Sequence, residues 1–202
     1  MPLDFRGLLT EFYARGTDYL DDGDAGEVRA KRWINDAMHH VNGLEAWPFL
    51  EAAASGAAPL TIPDLGSVES VVDTDHKVVL AQRSGREVRE ADPGSFLTGS
   101  PAWFVVEAGT TIVTWPTSTV NLSVMYSKVA PDLVADSDEP LMPDRFRSCL
   151  VDLAVAAALR DDQSPDWTVA QQAGLETVGL MRDWANLLSP ASTWFPVVGE
   201  DC

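Results

Sequence analysis

The apolar positions along the chain change their period twice. In the first third they recur every three to four residues, as an amphipathic helix requires. Leu3, Phe5, Leu8, Leu9, Phe12 and Tyr13 predict a helix over 3–14, which the acid- and glycine-rich DYLDDGDAGE (18–27) interrupts. A second helix is predicted from about Glu27 to Val41. Its positions Trp33, Ala37, Val41 and Leu44 step by four, four and three and so share a face, and Gly43 is a natural end point. A short third helix is expected to start in LEAWPFL (44–50), with Pro48 in its first turn, where the missing N–H costs little. Trp33, Ala37, Val41, Leu44, Trp47 and Phe49 form the predicted helical core.

From Pro59 to Pro131 the pattern is that of strands. TIPDL, SVESVVD, KVVLAQ, AWFVVE, TTIVTW and NLSVMYSK are short β-prone runs separated by turn residues. EAGTT (107–111) predicts a hairpin turn in which Gly109 supplies the positive φ angle. REVREAD (86–92) predicts a helical turn between strands.

The helical period then returns. MPDRFRSCLVDLAVAAALRDD (142–162) places Pro143 near a first turn and aligns Phe146, Leu150, Leu153, Ala154 and Ala157. SPDWTVAQQAGLETVGLMRDWANLLSP (164–190) opens with Ser164 as cap, Pro165 and Asp166. Its predicted stripe is Trp167, Ala170, Gly174, Leu175, Val178, Met181, Ala185 and Leu188. The expected architecture is therefore α+β. Segments 1–58 and 132–189 form a helical bundle, a mostly antiparallel β lobe (59–131) is inserted between them, and 190–202 is an extended tail.

Charge narrows the function classes. Basic residues number 14 against 31 acidic ones, for a net charge of −17. Affinity for phosphate backbones and anionic lipid comes from Lys and Arg, so neither nucleic acid nor membrane is an expected ligand. The longest apolar candidate, LVDLAVAAAL (150–159), is too short to span a bilayer and contains Asp152, and the N-terminus shows no signal-peptide pattern. Cys149 and Cys202 are not spaced as a disulfide framework or zinc motif.

Candidate chemistry is sparse. His39 and His40 are adjacent on a helix and point about 100° apart. Asp36 has metal-ligand spacing to His40, but no third ligand is at hand and His76 lies in the β segment, so no metal is expected. No G-x-S-x-G elbow and no phosphate loop occurs, and position 12 of a calcium loop read from Asp22 falls on Trp33. Cys149, inside an amphipathic run, reads as structural. No catalytic residue, metal or cofactor is assigned. Two basic clusters remain: Arg29, Lys31 and Arg32, and the set Arg83, Arg86 and Arg89. They read either as surface cations paired with local carboxylates or as contacts to an acidic neighbouring subunit, with Arg83, Arg86 and Arg89 the candidate subunit-contact cations.

Several ordered patterns resemble a known family. They are WINDA followed by WPFL (33–50), GSPAWFVVEAGTTIVTWP (99–116), VNLSVMYSKVAPDL (120–133) and MPDRFR leading into an alanine-rich helix (142–158). Together they resemble the head-to-tail adaptor (connector, or neck) proteins of tailed bacteriophages. The resemblance covers most of 27–160, and the acidic loop 18–27 and the residues after 190 have no counterpart in its pattern. It implies a non-enzymatic virion protein of the neck, assembled in the host cytoplasm. Such adaptors form a ring, typically of twelve copies, below the portal, extending the DNA channel and giving the tail its docking surface. The implied partners are further copies of the chain, the portal protein, and a tail or head-completion (stopper) protein. Genomic DNA passes without sequence-specific binding, and no membrane is involved. The helical lobe would supply core and portal-side packing and the β lobe subunit contacts. Trp194, Phe195, Pro196 and Val197 then become a candidate partner-docking tail, against the alternative that this segment folds back on its own helices. Alternatives remain: another virion ring such as a tail completion or terminator protein, an acidic DNA mimic, or a small enzyme with an unrecognised site.

Overall fold

The computed structural model of the protein describes residues 3–15, 24–94 and 97–188. The tail 190–202, including Trp194, Phe195, Pro196 and Val197, lies outside the described residues, as does most of the acidic loop. The chain divides into two compact units: a helical unit from residues 1–49 and 132–202, and a sheet unit from 50–131.

In the helical unit, α1 (Phe5–Ala14) opens on Asp4, whose carboxylate accepts the Gly7 N–H at 2.8 Å. This satisfies one of the N–H groups that a helix start leaves without a partner. Phe5, Leu8, Leu9 and Phe12 are buried on one face, as their spacing predicts. The second helix, α2 (Asp24–Asn42), buries Ala30, Ile34, Ala37, Met38 and Val41. After the sheet unit the chain forms a 3-10 turn (Asp144–Phe146), α4 (Ser148–Asp161) and α5 (Trp167–Leu188). The fourth helix packs against α1, α2 and α5. Cys149, Leu150, Val151, Leu153, Ala154, Val155, Ala156 and Ala158 are therefore buried nearly all round it. Gly174 of α5 allows the closest approach: a Cβ there would lie 2.8 Å from Leu153 Cγ.

Three local expectations are corrected. Helix α2 ends at Asn42, so Leu44 leaves the helical face and is 40 % exposed rather than core. The third helix is only a 3-10 turn, Pro48–Leu50, with Pro48 at its start. Leu175 faces outward from α5, away from its buried line Gly174, Val178, Met181 and Ala185, and Leu188, the last described residue of the helix, is 54 % exposed although it lies on that line.

Among its described residues the sheet unit has seven strands: β1 (Glu51–Ala57), β2 (Leu60–Thr61), β3 (Leu65–Asp73), β4 (Val78–Gln82), β5 (Trp103–Glu107), β6 (Thr111–Trp115) and β7 (Asn121–Lys128). They lie in the order β1-β7-β3-β4-β5-β6-β2. The end strands β1 and β2 follow one another in the chain and touch, so the sheet curls toward a barrel. All pairings are antiparallel except β4 with β5, which run parallel because α3 (Gly85–Ala91) crosses between them. The interior is filled by the alternate residues of the strands, among them Val71, Leu80, Phe104, Ile112, Leu122 and Val124.

Strand β1 is a further correction. Glu51–Ala57 falls within the expected N-terminal helical segment 1–58, yet it pairs with β7 along its whole length, from Glu51 opposite Ser127 to Ala57 opposite Asn121. Its alanine-rich sequence has little strand preference of its own, and pairing with a partner strand overrides it. Gly66 sits where the β3–β7 register shifts, and a Cβ there would come within 2.8 Å of the Ser127 carbonyl oxygen. The β5–β6 turn has Gly109 at φ 73° as predicted, and Ala108 also adopts a positive φ of 50°.

Candidate functional site

The residues that matter most in the helical unit are polar ones, and they hold the connection that returns from the sheet unit to α4. Asn35 of α2 donates from Nδ2 to the Leu133 carbonyl at 3.0 Å and accepts the Leu133 N–H at 2.8 Å. One turn on, His39 Nε2 lies 2.5 Å from Asp132 Oδ1. The order WINDA … PDL thus has a physical content: the helix grips the loop through both side-chain polar atoms of one amide. Further along, the carbonyls of Asp136 and Asp138 accept the N–H groups of Arg6 and Phe5 at the start of α1. The Asp138 carboxylate takes the N–H groups of Val134 and Ala135, which holds its pKa below the ordinary carboxylate value.

Arg147 closes this connection. Its side chain is 6 % exposed. Nε donates to the Met142 carbonyl at 3.2 Å, Nη1 to the Leu3 carbonyl at 3.1 Å, and Nη2 to Pro140 and to the Glu139 carboxylate at 3.1 and 3.0 Å. Asp144 adds an ion pair at 3.0 Å. Sequence reading passed over Asn35, Asp132 and Arg147 as individuals; only their places within WINDA, PDL and MPDRFR marked them.

Of the predicted helical core, Ala37, Val41 and Trp47 are buried, Trp33 and Phe49 are half-buried, and Leu44 is exposed. Trp47 donates from Nε1 to the Val41 carbonyl at 2.8 Å and stacks on Phe49 with 5.8 Å between ring centroids. It therefore caps α2 as well as filling its seam. Trp33 packs on Phe12 at 6.0 Å and turns its other side toward a groove of about 440 Å³. This groove lies among α2, α4 and the start of α5. Trp33, Trp167, Arg29, Arg32, Arg160 and His40 line it, together with the carboxylates Asp36 and Asp161. It concentrates guanidinium groups and indoles on a chain of net charge −17.

The histidines do not converge. His39 meets Asp132 and His40 lines the groove, while His76 belongs to the sheet unit. Among the described residues no group of three or more His, Cys, Asp or Glu side chains is placed to hold a metal. Cys149 is buried, and burial, with Asp152 adding, pushes its thiol up to about 12, so it stays protonated at neutral pH. Among the described residues no helix is long and apolar enough to cross a membrane.

In the sheet unit the β3–β4 turn is locked by two carboxylates. Asp73, fully buried, accepts the N–H groups of Asp75 and His76 and lies 2.7 Å from His76 Nδ1. Burial pushes its pKa up, but these hydrogen bonds outweigh that and hold it below the ordinary value. Asp75 accepts from the Asn121 backbone and side chain, tying the turn to β7. The candidate cations lie on α3 or beside it. Ser84 and Glu87 form a capping box at its start. Arg83, which precedes the helix, pairs with Glu87 at 3.6 Å and lies over the Trp103 ring, while Arg86 pairs with Glu90 at 2.7 Å. Arg89 is exposed on the same helix.

The family model described as SU10 adaptor protein matches residues 9–192. The chain belongs to that family, whose members are phage head-to-tail adaptors: structural proteins of the virion and not enzymes. No curated protein matches the chain.

Proposed function

We propose that this member of the SU10 adaptor family forms a ring of twelve copies below the portal, where it extends the DNA channel and presents the docking surface for the tail. The match over residues 9–192 carries this reading, because it spans both units and places the chain among proteins that join head to tail. The composition supports it. A chain of net charge −17 has no general attraction for a phosphate backbone, which suits a channel that lets DNA pass without sticking. The partners are the portal on one side and a tail or head-completion protein on the other, with assembly in the host cytoplasm. Arg83, Arg86 and Arg89 are contact cations for an acidic neighbour, although Arg83 and Arg86 already have carboxylates within reach on α3. Residues 194–197 supply aromatic anchors for a partner pocket. Electron microscopy of the purified protein mixed with its portal tests the reading: a ring on the portal is expected, and a monomer that ignores the portal overturns it.

A further inference from the structure

Helix α5 carries an apolar line that nothing among the described residues covers. Val169, Leu180 and Leu187 are 71, 64 and 82 % exposed. Spacings of eleven and seven residues put them within about 20° of one line on a helix. Ala173, Glu176 and Asp183 complete the row, so that 169, 173, 176, 180, 183 and 187 step by four and three throughout. This is the spacing of a seam that meets another surface, and here it is interrupted by two acids. All six positions are exposed. Glu176 accepts a hydrogen bond from the neutral Gln172.

The groove of the same unit is the complement. It offers indole surface from Trp33 and Trp167 and the cations Arg29, Arg32 and Arg160 against the carboxylates Asp36 and Asp161, with Arg32 3.6 Å from Asp36, so the cations outnumber the acids by one. Trp167 and Gln171, which line it from α5, are roughly 160–200° around that helix from Val169. Row and groove thus face opposite ways, and one copy cannot close them on itself. Pairing two α5 rows with each other would set the acids of both copies in one seam, which like charges oppose.

We infer that the α5 row of one copy docks into the Trp33–Trp167 groove of the next, with Glu176 and Asp183 meeting Arg32 and Arg160. The contact is head-to-tail: each copy uses one surface and offers the other, so the joint repeats from copy to copy, as the ring proposed above requires. It rests on the ring proposed above and adds a joint within the helical unit. It also explains how chains of net charge −17 come together, since the cations stand where the neighbour's acids arrive.

The test uses full-length chains and native mass spectrometry. A row variant carries Leu180→Asp and Leu187→Asp; a groove variant carries Arg32→Glu and Arg160→Glu. These positions are exposed, so the fold is retained, and circular dichroism checks it. The wild type is expected to form closed multimers and each variant to stay monomeric, with self-association weakened roughly 30-fold or more. Mixed in equal amounts, the variants share one intact joint and give a heterodimer and nothing larger. Multimers formed by both variants as by the wild type, or a mixture that stays monomeric, overturn the joint while leaving the ring standing. A wild type that stays monomeric even with the portal overturns the ring and the joint together.

Discussion

In the sheet unit position is set mainly by backbone pairing, whereas in the helical unit it is set by side chains reaching across sequence. Strand β7 is fixed by ladders on both sides, to β1 and to β3, and its alternating residues fill the interior. The connection 132–147 has no ladder. It is held by Asn35, by the first turn of α1 and by the buried guanidinium of Arg147. The difference matters because ladder hydrogen bonds are redundant and each contributes little net, about 0.5–1.5 kcal/mol. A buried charge serving five oxygen partners is not redundant: removing it leaves the Leu3, Pro140 and Met142 carbonyls without its N–H groups, while the exposed carboxylates of Glu139 and Asp144 turn to water.

The sharpest way to break the comparison is Arg147→Ala. It leaves three carbonyls without its N–H groups and releases Glu139 and Asp144 to solvent, and is expected to cost the helical unit about 3–5 kcal/mol. Urea unfolding followed at helical and aromatic signals would show it; a loss under 1 kcal/mol would mean the connection holds without its arginine. Next in size is Trp47→Phe. The smaller ring leaves a void, and the Val41 carbonyl keeps only the Leu44 N–H, for an expected loss of about 1–3 kcal/mol. An unchanged midpoint would reduce Trp47 to apolar filling.

In the sheet unit Asp73→Asn should cost about 1–2 kcal/mol at neutral pH, because the turn loses its charge-assisted acceptor. The sign of the pH dependence follows from its lowered pKa in the folded chain. The stabilisation is present above the ordinary carboxylate range and is lost as the pH falls through the folded-state pKa. The gap between wild type and variant should therefore close in acid, and a gap that is constant from pH 7 to pH 2 would contradict this account. The smallest effect is expected at the hairpin. Ala108→Gly relieves a positive φ and should raise stability by a few tenths to about 1 kcal/mol. A lower melting temperature would show that the turn gains more from the alanine's effect on the unfolded chain than it loses in strain.

Periodicity located α1, α2, α4 and α5, and β-prone runs bounded by turn residues located the strands from β3 to β7 and the turn at Gly109, because each is a local consequence of side-chain type and spacing. Local pattern misled at Leu44, whose spacing assumes a helix that has already ended, and at Glu51–Ala57, whose alanines take their conformation from β7. Leu175 reads as part of the buried stripe of α5 because neighbouring lines on a helix look alike in sequence, while Leu188 keeps to that line and is exposed at the helix end. The basic residues were legible as clusters but not as places: Arg83 and Arg86 meet carboxylates one turn away, while Arg32 and Arg160, distant in sequence, line one groove.

By itself the sequence determined the α+β order, the acidic surface and the adaptor-like motifs, since these follow from side-chain type and spacing along the chain. Only the tertiary structure decided what the motifs hold. Asn35 meets Leu133 and Arg147 meets Leu3 across separations of 98 and 144 residues. No local period encodes such a meeting; it exists once the apolar faces of four helices have packed and left these polar atoms no water to bond.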